Sequence, residues 1–263
     1  MALRRPRGGT RPEVHLHAGG QGYWAARLAA TLGADVVLCC ALGGEPGRVL
    51  RGLIDEDPLT LRAADAGTSN GVYVHDRRSG TRVEVVTVKS WQLGRHAADE
   101  LYGIALGAGP DADVTMVTGC QPDDVIDAEL YRRLVADLRA NGKCVIADLS
   151  GPPLRAALGG GVELLKLSEV ELINEGYTAT DAVADIVAGP ASPAADGARH
   201  VLVSRGSAPA LLIGSTLSDP VELADSIVDA LRLGMAAGAL NVTRRGLGTA
   251  HETRLNGSPR TSM

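Results

Sequence analysis

Apolar and polar residues follow two different rhythms along this chain. Ala34–Ala41 (ADVVLCCA), Asp113–Thr118 (DVTMVT), Cys144–Asp148 (CVIAD), Val162–Leu167 (VELLKL) and His200–Ser204 (HVLVS) are largely apolar runs. They have the pattern of strands buried on both faces. Between them, Tyr23–Leu32, Arg48–Asp55, Ala97–Ala108, Asp127–Ala140 and Asp181–Val187 space their apolar residues three and four apart, which predicts helices. Gly33 and Asn141-Gly142 are natural helix stops. Pro153–Leu158 reads as a short helix, Ala210–Ile213 as a further strand, and Pro220–Asn241 as a long Ala- and Gly-rich helical region. Strands alternating with helices predict an α/β fold around a mostly parallel sheet. Ligands of such sheets sit at the carboxyl ends of the strands.

Residues 71–88 have the second rhythm. Gly71–His75 and Thr81–Val86 alternate strictly, with Asp76–Gly80 as a polar turn between them. This predicts a β-hairpin in a separate small sheet with one wet face. Val14–His17 alternates in the same way. The expected organisation is therefore a flexible arm over residues 1–12 and one α/β domain over 13–263, with a β lid formed by about 13–18 and 70–88.

Composition narrows the function classes. The chain has 263 residues with 45% apolar and 22% charged, ordinary for a globular domain, and a formal net charge of −5. That charge supplies no global basic field, so nucleic acid is not an expected partner. No apolar run is long enough to span a membrane, and no secretory leader is legible, which predicts a cytoplasmic protein. With no Phe and only 3% aromatic residues, the core must be built from Ala, Val, Leu and Ile. Cys39, Cys40, Cys120 and Cys144 form no C-x-x-C pair and read as buried free thiols. His15, His17, His75 and His96 are scattered, so a histidine metal site is not expected.

The residues just after each strand hold the candidate chemistry. Gly19-Gly20-Gln21-Gly22 joins a strand to a helix start, where exposed N–H groups and close backbone approach favour an anion or a hydroxyl-rich ligand. Gly43-Gly44-Glu45-Pro46-Gly47-Arg48 and Thr118-Gly119-Cys120-Gln121-Pro122 are further turns of this kind. Asp148 is a carboxylate at a strand end. Lys166 closes another strand, and Ser168-x-x-Glu171 has the spacing of a capping box, a structural reading that competes with a metal-site role for Glu171. Ser204-Arg205-Gly206-Ser207 could hold a phosphate through hydroxyls and N–H groups.

These motifs occur in a definite order: a Gly-Gly-x-Gly helix start, A-L-G-G-x-x-G-R, T-G-x-x-P, a strand ending in Asp, K-x-N/S-x-x-E-L and V-S-x-G. Together, from about Gly19 to Gly248, they resemble the PfkB (ribokinase-like) carbohydrate kinases, with the 1-phosphofructokinase-type hexose kinases as the nearest subgroup. The resemblance implies a three-layer ribokinase-like α/β fold with a small β lid, often used for dimerisation. It implies ATP- and Mg²⁺-dependent phosphoryl transfer to a hydroxyl of a sugar or sugar phosphate. Carried over residue by residue, Gly19, Gly20, Gln21, Gly22 and Asn70 would contact the substrate. Lys166, Ser168, Ser204 and Gly206 would serve the nucleotide, and Glu171 the metal.

The chain also departs from the pattern. Gln21 stands where the family usually has Lys, Tyr23 where it has Asn, and Ser168 where it has Asn. The family's first strand, with its sugar-binding Asp, has no counterpart. The signature G-A-G-D loop, whose Asp is the catalytic base, is absent: only Gly214–Asp219 joins the last strand to the helical region, and Asp219 before Pro220 reads as a helix cap. The catalytic residue is thus left unassigned. The sequence is expected to be an incomplete representation of a longer kinase. A sugar- or nucleotide-binding pseudokinase and completion by another subunit are the alternatives.

Overall fold

The computed structural model of the chain describes residues 2–4, 13–188, 193–194 and 196–214. The helical region 220–241, the Asp219 cap and arm residues 5–12 lie outside them. The strands fall into three sheets. β7 (Val114–Thr118), β8 (Cys144–Asp148), β9 (Val162–Ser168) and β10 (Ala198–Arg205) run parallel, and β11 (Ala208–Gly214) closes the sheet antiparallel to β10. β3 (Val37–Leu42) and β4 (Thr60–Asp65) form a parallel pair. β2 (Glu13–His15), β1 (Ala2–Arg4), β5 (Val72–Arg77) and β6 (Val83–Val88) form a four-stranded sheet in that order. The parallel strands and their helices make the α/β architecture expected from the alternation.

Helices follow from caps and apolar spacing. α4 (Ala128–Ala140) starts where the Asp127 carboxylate accepts the Glu129 N–H, 2.8 Å away. Its Tyr131, Leu134, Val135 and Leu138 lie on one buried stripe. α4 packs against α5 (Gly151–Gly160) and over β8. With Val145, Leu165, Leu167 and Val203 these helices enclose the main core. A smaller core forms where α1 (Gln21–Thr31) and α2 (Gly44–Ile54) meet around Ala18, Tyr23 and Ile54. α3 (Arg95–Ala108) packs against β3, β4 and α4. Short α6 (Glu169–Asn174) and α7 (Val183–Ala188) follow β9.

Three differences from the sequence pattern have physical causes. β4 (TLRAAD) lacks a β-branched run, and only its ladder with β3 makes it a strand. α2 begins four residues before Arg48, because Gly-Glu-Pro-Gly, although it reads as a turn, suits a first turn in which Pro46 lacks only a donor that is free there anyway. Ala2–Arg4, assigned from sequence to a flexible arm, runs as β1, hydrogen-bonded to β2 on one side and β5 on the other.

The parallel ladder is also split. Among the described residues β3 and β7 share no strand pairing, so each is an open edge. α1 packs on both, and α3 and α4 pack together beneath. Val37 on β3 and Val114 and Met116 on β7 are correspondingly exposed. In the four-stranded sheet a bulged register sets Val83, Val86 and Val88 of β6 on one face, opposite Asp76, Val74 and Val72 of β5, and all three are exposed where alternation predicted a buried face.

Candidate functional site

The polar residues gather along the carboxyl-terminal rim of the five-stranded sheet. Residues in register on neighbouring parallel strands share a face. Thr118 is in register with Asp148, Asp148 with Lys166, and Ser168 with Ser204. One face of the rim therefore carries Thr118, Asp148, Lys166, Ser168 and Ser204 across β7 to β10.

The glycine turn is joined to this rim through Thr118. Gly20, at φ 110, is the N-cap of α1 and offers no side chain, so the first-turn N–H groups stay open. A Cβ on Gly22 would lie 2.7 Å from Thr118 Oγ1, so a larger residue there would displace the threonine side chain. α1 is fixed from behind: the Tyr23 hydroxyl donates to Asp57 Oδ2 at 2.5 Å, and Arg27 pairs with the same carboxylate at 3.0 Å. Burial, helped by the hydrogen bond to Asp57, pushes the Tyr23 hydroxyl up to about 12. Gly19, Gly20 and Gln21 are exposed at the head of the helix.

At the middle of the rim Lys166 Nζ donates to Asp148 Oδ1 at 3.1 Å. The Asp148 side chain is 13% exposed and that of Lys166 29%. Burial raises the Asp148 carboxyl above its ordinary value; the Lys166 ammonium opposes this and the Glu171 carboxylate adds to it. Ser168 caps α6 in a full capping box: its Oγ accepts from Glu171 N at 3.2 Å, and its N–H donates to Glu171 Oε2 at 2.7 Å. The structural reading of Ser168-x-x-Glu171 therefore holds in the structure. Glu171 Oε1 remains outside the box. Among the described residues no three His, Cys, Asp or Glu side chains are grouped to hold a metal by themselves. The carboxylate oxygen left outside the box fits Mg²⁺, which keeps several waters and takes its remaining ligands from phosphates. The Ser204 hydroxyl donates to Leu167 O at 3.4 Å, and Gly206, at φ 55, turns the chain from β10 into β11.

Asn70 is not on this rim. Its Oδ1 accepts from Gly43 N at 2.8 Å and its Nδ2 donates to Ala41 O at 3.0 Å, so its amide braces the end of β3. A cleft of about 450 Å³ beside that turn is lined by Gly43, Gly44, Arg48, Arg51, Asp65 and Glu100. It lies on the β4 side, and its mixed charges favour no single class of ligand. Sequence reasoning named the Thr118 turn and Asp148 as candidates but gave neither a role. The signal that joins them to the rim is strand register, which a lone sequence does not contain.

A family model described as pfkB family carbohydrate kinase matches residues 3–222. The chain belongs to this family of carbohydrate kinases. Among solved structures, phosphofructokinase-2 from Escherichia coli in complex with potassium is similar at TM-score 0.75 and 23% identity, over 97% of this chain and 93% of that one. The same enzyme in complex with substrates and products gives 0.74 and 22%, with the same coverage. Ribokinase of Arabidopsis thaliana, complexed with ribose and ATP, gives 0.67 and 16%, over 97% and 94%. At these identities the likeness speaks for the shared ribokinase-like fold.

Proposed function

We propose that this PfkB-family chain transfers the γ-phosphoryl group of ATP, with Mg²⁺, to a hydroxyl of a sugar or sugar phosphate. The observation that carries this reading is the continuous rim: the glycine turn abuts Thr118, and Asp148, Lys166, Ser168 and Ser204 follow strand by strand. Phosphoryl transfer depends mostly on positioning and electrostatics, and the rim divides those roles. Gly19, Gly20, Gln21 and Gly22 present open N–H groups and an amide to the acceptor's hydroxyls. Asn70 acts at one remove, by fixing the Gly43 turn. Lys166, with the backbone around Ser168, Ser204 and Gly206, holds the nucleotide phosphates. Glu171 and the phosphates would hold Mg²⁺, which when bound neutralises charge on the transferring group.

The proposed organisation is a single α/β domain over 13–263 with a lid formed by about 13–18 and 70–88, to whose sheet β1 adds a strand from outside that span. The exposed valines of β6 suit that sheet to a homodimer contact. Among the described residues no helix is long and apolar enough to cross a membrane, and we place the protein in the cytoplasm. A pseudokinase is the second reading, favoured by the short Gly214–Asp219 connection, which leaves no room for the family's base-bearing loop; all but Gly214 of it lies outside the described residues. ATP turnover against a panel of hexoses and hexose phosphates, beside a MgADP titration, separates the two. Acceptor-dependent ADP release establishes the kinase. Binding with no transfer establishes the pseudokinase, and the absence of both overturns each.

A further inference from the structure

We propose that Trp24 is a specificity-determining residue of the acceptor site, a platform on which the C–H face of the acceptor's sugar ring lies while the glycine turn takes its hydroxyls. The inference rests on the acceptor site of the kinase reading above and names the part of the acceptor that this site recognises. Its first support is position. Trp24 is the fourth residue of α1, the helix that Gly20 opens. A helical side chain leans toward the helix N-terminus and covers the turn before its own Cα. The Trp24 indole accordingly folds back over the glycine turn, where its Nε1 donates to Ala18 O at 3.3 Å. A Cβ on Gly19 would lie 3.7 Å from ring atom Cζ2, at van der Waals contact with the indole.

The second support is availability. A Cβ on Gly20 would meet no atom within 4 Å, so the space over the turn is open beside the ring. Trp24 packs against the small core around Ala18 yet stays partly exposed. Its neighbour Tyr23 is buried and committed to Asp57. The indole N–H is already satisfied by Ala18, so what Trp24 has left to offer a ligand is its apolar ring.

The third support is chemical. A sugar ring carries hydroxyls around its edge and C–H groups on its faces. Open N–H groups and the Gln21 amide suit the edge. The negative face of an aromatic ring suits the C–H groups, and binding sites pair such apolar walls with a few placed polar groups. The turn offers no cation: Gln21 is neutral, and Arg27 is held by Asp57 behind α1. This end of the site therefore reads the sugar ring itself rather than a phosphate on it. Adenine does not compete for the platform, because Ser204 lies on β10, three strands along the sheet from β7.

The chain has two tryptophans, and Trp91 is 71% exposed. Trp91→Phe thus leaves Trp24 as the single indole emitter. The test titrates the 263-residue W91F protein with the hexose and hexose-phosphate panel, and separately with MgADP. Expected is a saturable change in Trp24 emission with the sugar that binds, at the Kd found by calorimetry, and none with MgADP alone. With Trp91 retained, Trp24→Phe keeps a ring and should hold the sugar Kd within about threefold, whereas Trp24→Leu should weaken it at least about fivefold. MgADP affinity should stay within about threefold in both variants. A smaller loss in W24L, or one that weakens MgADP equally, overturns the assignment and leaves the kinase standing. So does sugar binding by calorimetry that leaves Trp24 emission unmoved, or emission that responds to MgADP alone. Sugar binding that moves Trp24 emission without phosphoryl transfer upholds the platform and overturns the kinase. A wild-type protein that binds no sugar of the panel overturns both.

Discussion

Replacing Lys166 with methionine would leave the Asp148 carboxylate half-enclosed and without its cation. Breaking a fully buried pair by removing one partner costs roughly 3–5 kcal/mol. An exposed pair contributes only about 0–1 kcal/mol. Side-chain exposures of 13% for Asp148 and 29% for Lys166 place this pair between those limits. A loss of about 2 kcal/mol is therefore expected for K166M at pH 8. The pH dependence has a definite sign. Burial already holds the folded-state Asp148 carboxyl above its ordinary value, and Lys166 opposes that rise. Without Lys166 the carboxyl rises further. A group that binds its proton more tightly when folded loses stability as pH climbs from its unfolded value through its folded one. The K166M deficit should thus be full at pH 8 and shrink as pH falls to 5. Urea unfolding of wild type, K166M, D148N and the double variant at both pH values measures this, with equal m-values as the control for two-state behaviour. The double variant, with no buried charge to strand, should recover most of the loss. K166M within about 0.5 kcal/mol of wild type at pH 8, or a deficit that grows on acidification, would refute the argument.

Further outcomes follow from the same geometry. Gly43→Ala would place a Cβ 2.1 Å from Thr68 O, a backbone atom that cannot rotate away, so a stability loss of at least about 1–3 kcal/mol is expected in urea unfolding. Ser168→Ala should lose about 1 kcal/mol of stability through the cap, whereas Glu171→Gln keeps an acceptor for the Ser168 N–H and should leave thermal stability unchanged while weakening Mg²⁺-dependent nucleotide binding by calorimetry. Val145→Ala, at a fully buried position of β8, should cost about 2–3 kcal/mol, and Val114→Ala, on half-exposed β7, less than about 1 kcal/mol; equal losses would mean that the β7 face is covered.

Elements with a strong local signature were legible from sequence. β8 and β9 are apolar runs closed by a polar residue, α4 carries its cap and stripe, and the hairpin of β5 and β6 carries its alternation. β4 was not legible, because Thr60–Asp65 has neither period and becomes a strand only through β3. The start of α2 was hidden by glycines and a proline that resemble a turn. In the site, Gly22 and Lys166 could be found from motif spacing, since the chemistry of a glycine helix start or a strand-end cation is local. Thr118 and Asp148 gain meaning only from their register, which is a property of paired strands. Asn70 shows the converse. Its motif position suggests substrate, and the role its contacts make visible is a second one, bracing the main chain at Ala41 and Gly43.

The open seam between β3 and β7 has a mechanical consequence. Among the described residues, separating the two ladders there would break side-chain packing through α1 and α3 but no inter-strand hydrogen bond. Such a parting would need less free energy than global unfolding, so amides of β3 and β4 should exchange with solvent deuterium well before those of β8 and β9. The glycine turn at the head of α1 bridges the two sides. A small rotation about the seam would alter its distance from Lys166 while leaving each ladder intact. The joint where this backbone is weakest is therefore also a hinge along which two halves of the rim could approach and withdraw.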